Sequence, residues 1–113
     1  MRSWTLRFRK TDRNDFLDIK RGLKEIETRA ATEKYRKIKA GDKLVIVCGR
    51  MRLVKEVRKA RRFRTLTAML KAVNYGKIMP SAKSGREARE IFLSYTGYGE
   101  KLKKFGIMAF YLG

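Results

Sequence analysis

Hydrophobic and polar positions alternate at the start of the chain: Trp4, Leu6 and Phe8 stand between Thr5, Arg7 and Arg9, the period of a strand with one buried face. From Asp12 to Arg21 the apolar positions Phe16, Leu17 and Ile19 change to helical spacing. Thr11 or Asp12 suits the cap and Gly22 suits the residue that ends the helix. A short strand is predicted over Glu25 to Ala30. The polar, basic stretch Ala31 to Lys39, anchored by Tyr35 and Ile38, reads as a loop or short surface helix. The turn signal Ala40-Gly41-Asp42-Lys43 feeds the run Leu44 to Cys48, which predicts a central strand buried on both faces.

Met51 to Phe63 is long enough for an extended strand, and Val54 and Val57 fall on opposite faces of it, which predicts a bulge. Leu66, Met69, Leu70 and Val73 recur at helical spacing, and so do Ala88, Ile91, Phe92 and Tyr95. These predict two amphipathic helices separated by a loop with Pro80, the second capped by Ser84 with Glu87. Phe105 to Leu112 closes the chain as a strand, with Ile107, Ala109 and Tyr111 facing one way and Met108, Phe110 and Leu112 the other. About five strands with helices inserted between them make an α+β fold, a small and partly closed barrel. At 113 residues, 43% of them hydrophobic, the chain suits one domain over residues 1–113.

Charge changes the picture from fold to partner. Lys and Arg number 30 against 11 acids, a net charge of +19. A surplus of that size repels itself in the folded state and points to a polyanion. Charge-rich thermostable surfaces normally raise Glu together with Lys, which is not the pattern here. Nucleic acid is therefore the expected partner. A membrane is not expected, because the longest apolar run, Leu44 to Cys48, is short and no signal-peptide stretch follows Met1; a cytoplasmic location is the expectation. One cysteine and no histidine leave the usual metal-ligand sets unassembled, so neither metal nor cofactor is expected, and Cys48 reads as core.

The segment Gly22-Leu23-Lys24-Glu25-Ile26-Glu27-Thr28-Arg29 has the form G-x-K-x-x-E-x-R between a helix and a strand. Gly22 supplies the left-handed turn that ends the helix, and Lys24 places a flexible ammonium at the junction. Glu27 and Arg29 share one strand face, where they can pair with each other or meet a phosphate and a base edge. Here the chain resembles the ASCH domain, a PUA-like family, as a small stand-alone archaeal or bacterial type. The later Ala40-Gly41-Asp42 turn, the inserted helices and the closing strand extend the resemblance over most of the chain. It implies a small β-barrel with the motif at the edge of a cleft that binds or acts on RNA. Some members of the family hydrolyse an amide on a modified cytidine with the motif lysine, a threonine three residues later and a separate glutamate. Lys24 matches the lysine, but Glu27 replaces the threonine and Leu66 to Gly76 offers no acid. The resemblance thus implies a nucleic-acid-binding module whose basic cleft, edged by the motif, takes RNA, single-stranded or modified, in preference to DNA. A metal-independent hydrolase, a modified-nucleoside amidohydrolase or ribonuclease with Lys24 and Glu27 as catalytic candidates, is the alternative. A charge-driven ribosome- or DNA-associated protein is the second.

The residues expected to contact nucleic acid are Lys24, Glu27, Arg29, Arg50, Arg52, Lys55, Arg58 and Tyr98. Arg52, Arg58 and Arg62 lie on one face if the long strand is regular, a stripe able to follow a phosphate backbone. Arg7, Arg9 and Lys10 extend the patch, and Lys34, Arg36, Lys37 and Lys39 form a third cluster. Tyr35, Tyr75 and Tyr98 fall in predicted loops, where a base can stack on them. Tyr98, between Gly97 and Gly99, is the preferred candidate.

Overall fold

A computed structural model describes residues 1–113. The elements are β1 (Ser3–Phe8), a single 3-10 turn (Lys10–Asp12), α1 (Arg13–Lys20), β2 (Ile26–Ala30), α2 (Glu33–Arg36), β3 (Lys43–Cys48) and β4 (Met51–Phe63). There follow α3 (Leu66–Ala72), α4 (Tyr75–Ile78), α5 (Gly85–Ser94), α6 (Tyr98–Phe105) and β5 (Ile107–Leu112). The fold is α+β, with a five-stranded sheet of order β1-β3-β4-β5-β2, curled into a half-barrel. Only the β1–β3 pair is parallel. No helix is long and apolar enough to cross a membrane.

The 13-residue β4 makes the curl. Its first half, Met51 to Glu56, pairs with β3, and Val57 to Phe63 pairs with β5. Between Val57 and Lys59 the register shifts, so Arg58 is an extra residue and the strand bends there. Inside the curl, Leu6, Leu44, Ile46, Val57 and Phe110 form a core that α1 plugs with Phe16 and Ile19. A second core lies on the outer face of β5 and β2, where Ile26, Ile107 and Ala109 pack on Leu66, Met69, Phe92 and Leu102 from the helices between β4 and β5. The alternation read along β5 is borne out, because its two faces fill the two cores.

Three expectations are corrected. The strand buried on both faces is β5, not β3; Leu44, Ile46 and Cys48 point into the core while Val45 and Val47 are only half-buried. The helical layer covers β5 and β2 and leaves the outside of β3 to solvent, and the middle of the sheet is β4. Four helices, not two, lie between β4 and β5. The Asn74 carboxamide accepts from the Gly76 N–H to start α4, and Gly97, at φ 71°, turns the chain into α6, whose Leu102 is buried. Finally, the Asp12 carboxylate does not cap α1 but takes the Arg9 Nε at 2.8 Å. The Ser84 hydroxyl does cap α5, accepting from the Glu87 N–H at 3.1 Å.

Candidate functional site

β1 and β2 are the two ends of the sheet order, and no strand joins them. The seam left open between them is the main concavity, about 580 Å³ in volume. Arg7 and Phe8 line it from β1, Arg9 from just past the end of that strand, and Glu27, Thr28 and Arg29 from β2. Asp15 of α1, Lys24 and the aromatic wall of Phe92, Tyr95 and Tyr98 complete it, with Lys101 at its rim. A volume of this size is in the range of sites that enclose a small ligand or one nucleotide unit.

The motif reaches the seam through a tight turn. Gly22, at φ 79°, brings the Leu23 and Lys24 N–H groups onto the Asp18 carbonyl at 2.9 and 3.1 Å. No other part of the chain fills the space beside Gly22, so glycine is required there by the backbone angle alone. Lys24 is then carried inward and buried. Its ammonium donates to the Ile78 carbonyl and lies 3.4 Å from Glu27 Oε1.

Glu27 is also buried and is the hub of the wall. Its Oε1 accepts from the Thr28 N–H at 3.0 Å, and its Oε2 accepts from Arg29 Nη2 at 3.2 Å and Nε at 3.4 Å. With both oxygens engaged, Glu27 holds Lys24 and Arg29 in place and has little capacity left to read a base. The Arg29 guanidinium lies 5.0 Å over the Phe8 ring and 5.9 Å from that of Tyr35. Burial works against its charge, but the attraction of Glu27 and Tyr35 outweighs burial and holds its pKa above the usual value.

Asp15 has a different status. It is half-buried on the seam, and its carboxylate has neither an ion-pair nor a hydrogen-bond partner in the chain. Desolvation raises its pKa, and the nearby Lys24 charge partly opposes this. Tyr98 stacks on Phe92 with centroids 6.1 Å apart and meets Tyr95 edge-on at 5.9 Å. Burial pushes the Tyr98 hydroxyl well up, so it stays protonated as a donor.

The structure therefore brings Lys24, Glu27, Arg29 and Tyr98 to one cleft. Tyr98 is nevertheless on the first turn of α6, not in a loop, and Phe92 occupies one face of its ring. Tyr35 and Tyr75 likewise sit on α2 and α4. Arg50, Arg52, Lys55 and Arg58 do not line the cleft. Arg50 is in the β3–β4 turn, and the stripe through Arg52, Arg58 and Arg62 is broken by the bulge. Before it the odd-numbered residues of β4 face the inner core, and after it the even-numbered ones do, which puts Arg52 and Arg62 on opposite faces. Arg58 instead joins Arg36, Lys39, Lys59 and Arg62 around a second, shallower concavity of about 520 Å³. Of the flanking basic residues, Arg7 and Arg9 reach the cleft and Lys10 does not.

Asp15, Thr28, Tyr95 and Lys101 escaped the sequence reading. Asp15 carried a usable signal, because it lies one turn before the buried Ile19 on the helix leading into the motif, so an acid shares the face that packs inward.

The fold and site define a small α+β half-barrel with a charged cleft at its open seam. No protein-family profile and no curated protein matches the chain. Among solved structures, the crystal structure of hypothetical protein PH0355 superposes with a TM-score of 0.83 at 27% identity, the match covering 99% of this chain and 97% of that one. The solution NMR structure of Protein PF0455 from Pyrococcus furiosus gives a TM-score of 0.72 at 28% identity, covering 97% and 94%. Neither description states an activity.

Proposed function

We propose that the chain is an ASCH-like RNA-binding protein that takes an unstacked base of a single strand into the seam between β1 and β2. The observation that carries this reading is the convergence of Lys24, Glu27 and Arg29 on one wall of that seam, facing Tyr95 and Tyr98. Single strands present bases that a cleft can enclose, whereas a duplex keeps them stacked, so the concavity favours single-stranded RNA as the ligand. Five cationic side chains line the seam against three acids, which suits a phosphodiester at the rim with a base inside. The second concavity, lined by Arg36, Lys39, Arg58, Lys59 and Arg62 with no acid among its residues, supplies further phosphate contacts.

The hydrolase reading has less support. Lys24 donates to a carbonyl and faces Glu27, and Glu27 accepts from its neighbours on both oxygens, so neither is a free base. Fluorescence anisotropy with single-stranded RNA and with heparin tests the reading. Arg29→Ala is expected to weaken RNA binding by about 1–3 kcal/mol with the fold intact. Equal affinity for heparin and indifference to Arg29→Ala would mean binding by charge alone. Product release from RNA or acylated nucleosides, seen by mass spectrometry and lost in Lys24→Ala, would make the protein an enzyme.

A further inference from the structure

The seam contains three acids, and they differ in what they are free to do. Asp12 is paired with Arg9 and Glu27 is engaged on both oxygens, while the Asp15 carboxylate faces the cavity without a partner. A half-buried carboxylate of this kind accepts hydrogen bonds and donates none when ionised. On the same cavity, the Lys24 ammonium donates to the Ile78 carbonyl and lies 3.4 Å from Glu27 Oε1, which leaves it N–H capacity for an acceptor. Lys24 and Asp15 line the same cavity, and the Lys24 charge opposes the desolvation of the Asp15 carboxylate.

We propose that Asp15 makes the cleft selective for guanine, its two oxygens accepting from the N1–H and N2–H groups of the base while Lys24 donates to O6. The inference rests on the RNA-binding reading above and names the base that the site takes. A carboxylate offers two acceptors side by side and so fits an edge with two adjacent donors. Guanine's Watson–Crick edge runs acceptor, donor, donor. Uracil places its single imino donor between two carbonyls that a carboxylate repels, and cytosine and adenine each present one amino donor beside an acceptor. Recognition on the Watson–Crick edge is available because single-stranded bases are unpaired. Buried polar groups left without partners make such a site discriminate strongly against the wrong edge.

The experiment uses the intact protein and a set of short oligouridine RNA probes whose central residue is uridine, guanosine, inosine, adenosine or cytidine, with dissociation constants from anisotropy. The guanosine probe is expected to bind on the order of tenfold or more tighter than the uridine probe. Inosine, which keeps N1–H and O6 but lacks the N2 amino group, is expected between them. In Asp15→Asn, with circular dichroism confirming the fold, the guanosine advantage should collapse and affinity for the uridine probe should remain. A guanosine preference that survives in Asp15→Asn overturns the role of Asp15. A wild-type preference for adenosine or cytidine, or equal binding of all five probes, overturns guanine selectivity and leaves RNA binding standing. No binding to any probe overturns the RNA reading itself.

Discussion

Arg29 of β2 donates from Nη2 to the main-chain carbonyl of Arg7 in β1 at 3.4 Å, while the same nitrogen lies 3.2 Å from Glu27 Oε2. A side chain thus bridges the two sheet edges where no backbone ladder does. The bridge depends on Glu27, which fixes the guanidinium from below and meets Lys24 on its other oxygen.

Removing Glu27 would leave Lys24 buried and Arg29 partly buried without the carboxylate that pairs with both. Breaking a buried ion pair from one side typically costs about 3–5 kcal/mol, because the remaining charge stays desolvated. Glu27→Ala is therefore expected to lower unfolding stability in urea by about that amount, and Glu27→Gln by less, since its carboxamide still accepts from the Thr28 N–H. A loss below about 0.5 kcal/mol, the range of ordinary surface substitutions, would show that Glu27 is not the hub of the wall.

Gly22 tests the turn independently of charge. Its φ of 79° lies in the left-handed region, and a Cβ built there meets nothing within 4 Å. The cost of Gly22→Ala is then the backbone term alone, about 1–2 kcal/mol, while Asn, which tolerates this region better, should cost less. Thermal denaturation of the two variants checks both the size and the order.

Much of the fold was legible because strand periods are local. The alternation at Trp4, Leu6 and Phe8 and the opposite faces of Val54 and Val57 could be read directly; the expected bulge is present, but after Val57, so it does not bring those two residues to one face. What the bulge does to every later residue could not be read without its position: placing it at Arg58 moves Arg62 to the other face from Arg52. α6 was missed because Gly97 and Gly99 look like a loop, although Tyr98, Leu102 and Phe105 recur at helical spacing. In the site, the motif residues were visible as a motif, but the seam brings together β1, α1, β2 and α6, and no local pattern encodes that meeting.

The bulge also divides the basic residues, and salt dependence separates them. With roughly five or six phosphates bound, single-stranded RNA affinity is expected to fall with salt at a log–log slope near −4. Substituting Arg58 and Lys59 together by Ala, both at the second concavity, should flatten that slope by about 0.7 for each phosphate no longer neutralised and weaken binding without regard to sequence. Arg52→Ala, which does not line this concavity, should leave the slope unchanged. Titrations at several salt concentrations measure both effects, and a slope altered by Arg52→Ala alone would put the phosphate path on the outer face.

The unpartnered acid gives stability a pH dependence of its own. Desolvation raises the Asp15 pKa in the folded protein above its unfolded value, with Lys24 opposing in part. Between those two pKa values the folded state holds more protons than the unfolded chain, so stability falls as pH rises through that window. Above that window the ionised carboxylate is therefore a net destabilising group. Asp15→Asn, which cannot ionise, should unfold at a higher urea concentration than wild type at pH 7. Because the unfolded carboxyl titrates near 3.9, the difference should shrink as pH falls through the raised folded pKa and be gone below about pH 4, where Asp15 is neutral in both states. Paired urea titrations of wild type and Asp15→Asn across this range make the comparison. A variant less stable than wild type at pH 7 would mean that Asp15 serves the fold through a contact its carboxylate makes. A gain at pH 7 that disappears in acid would mark a charge kept at the seam despite its cost to the fold, as expected of a group that serves a ligand.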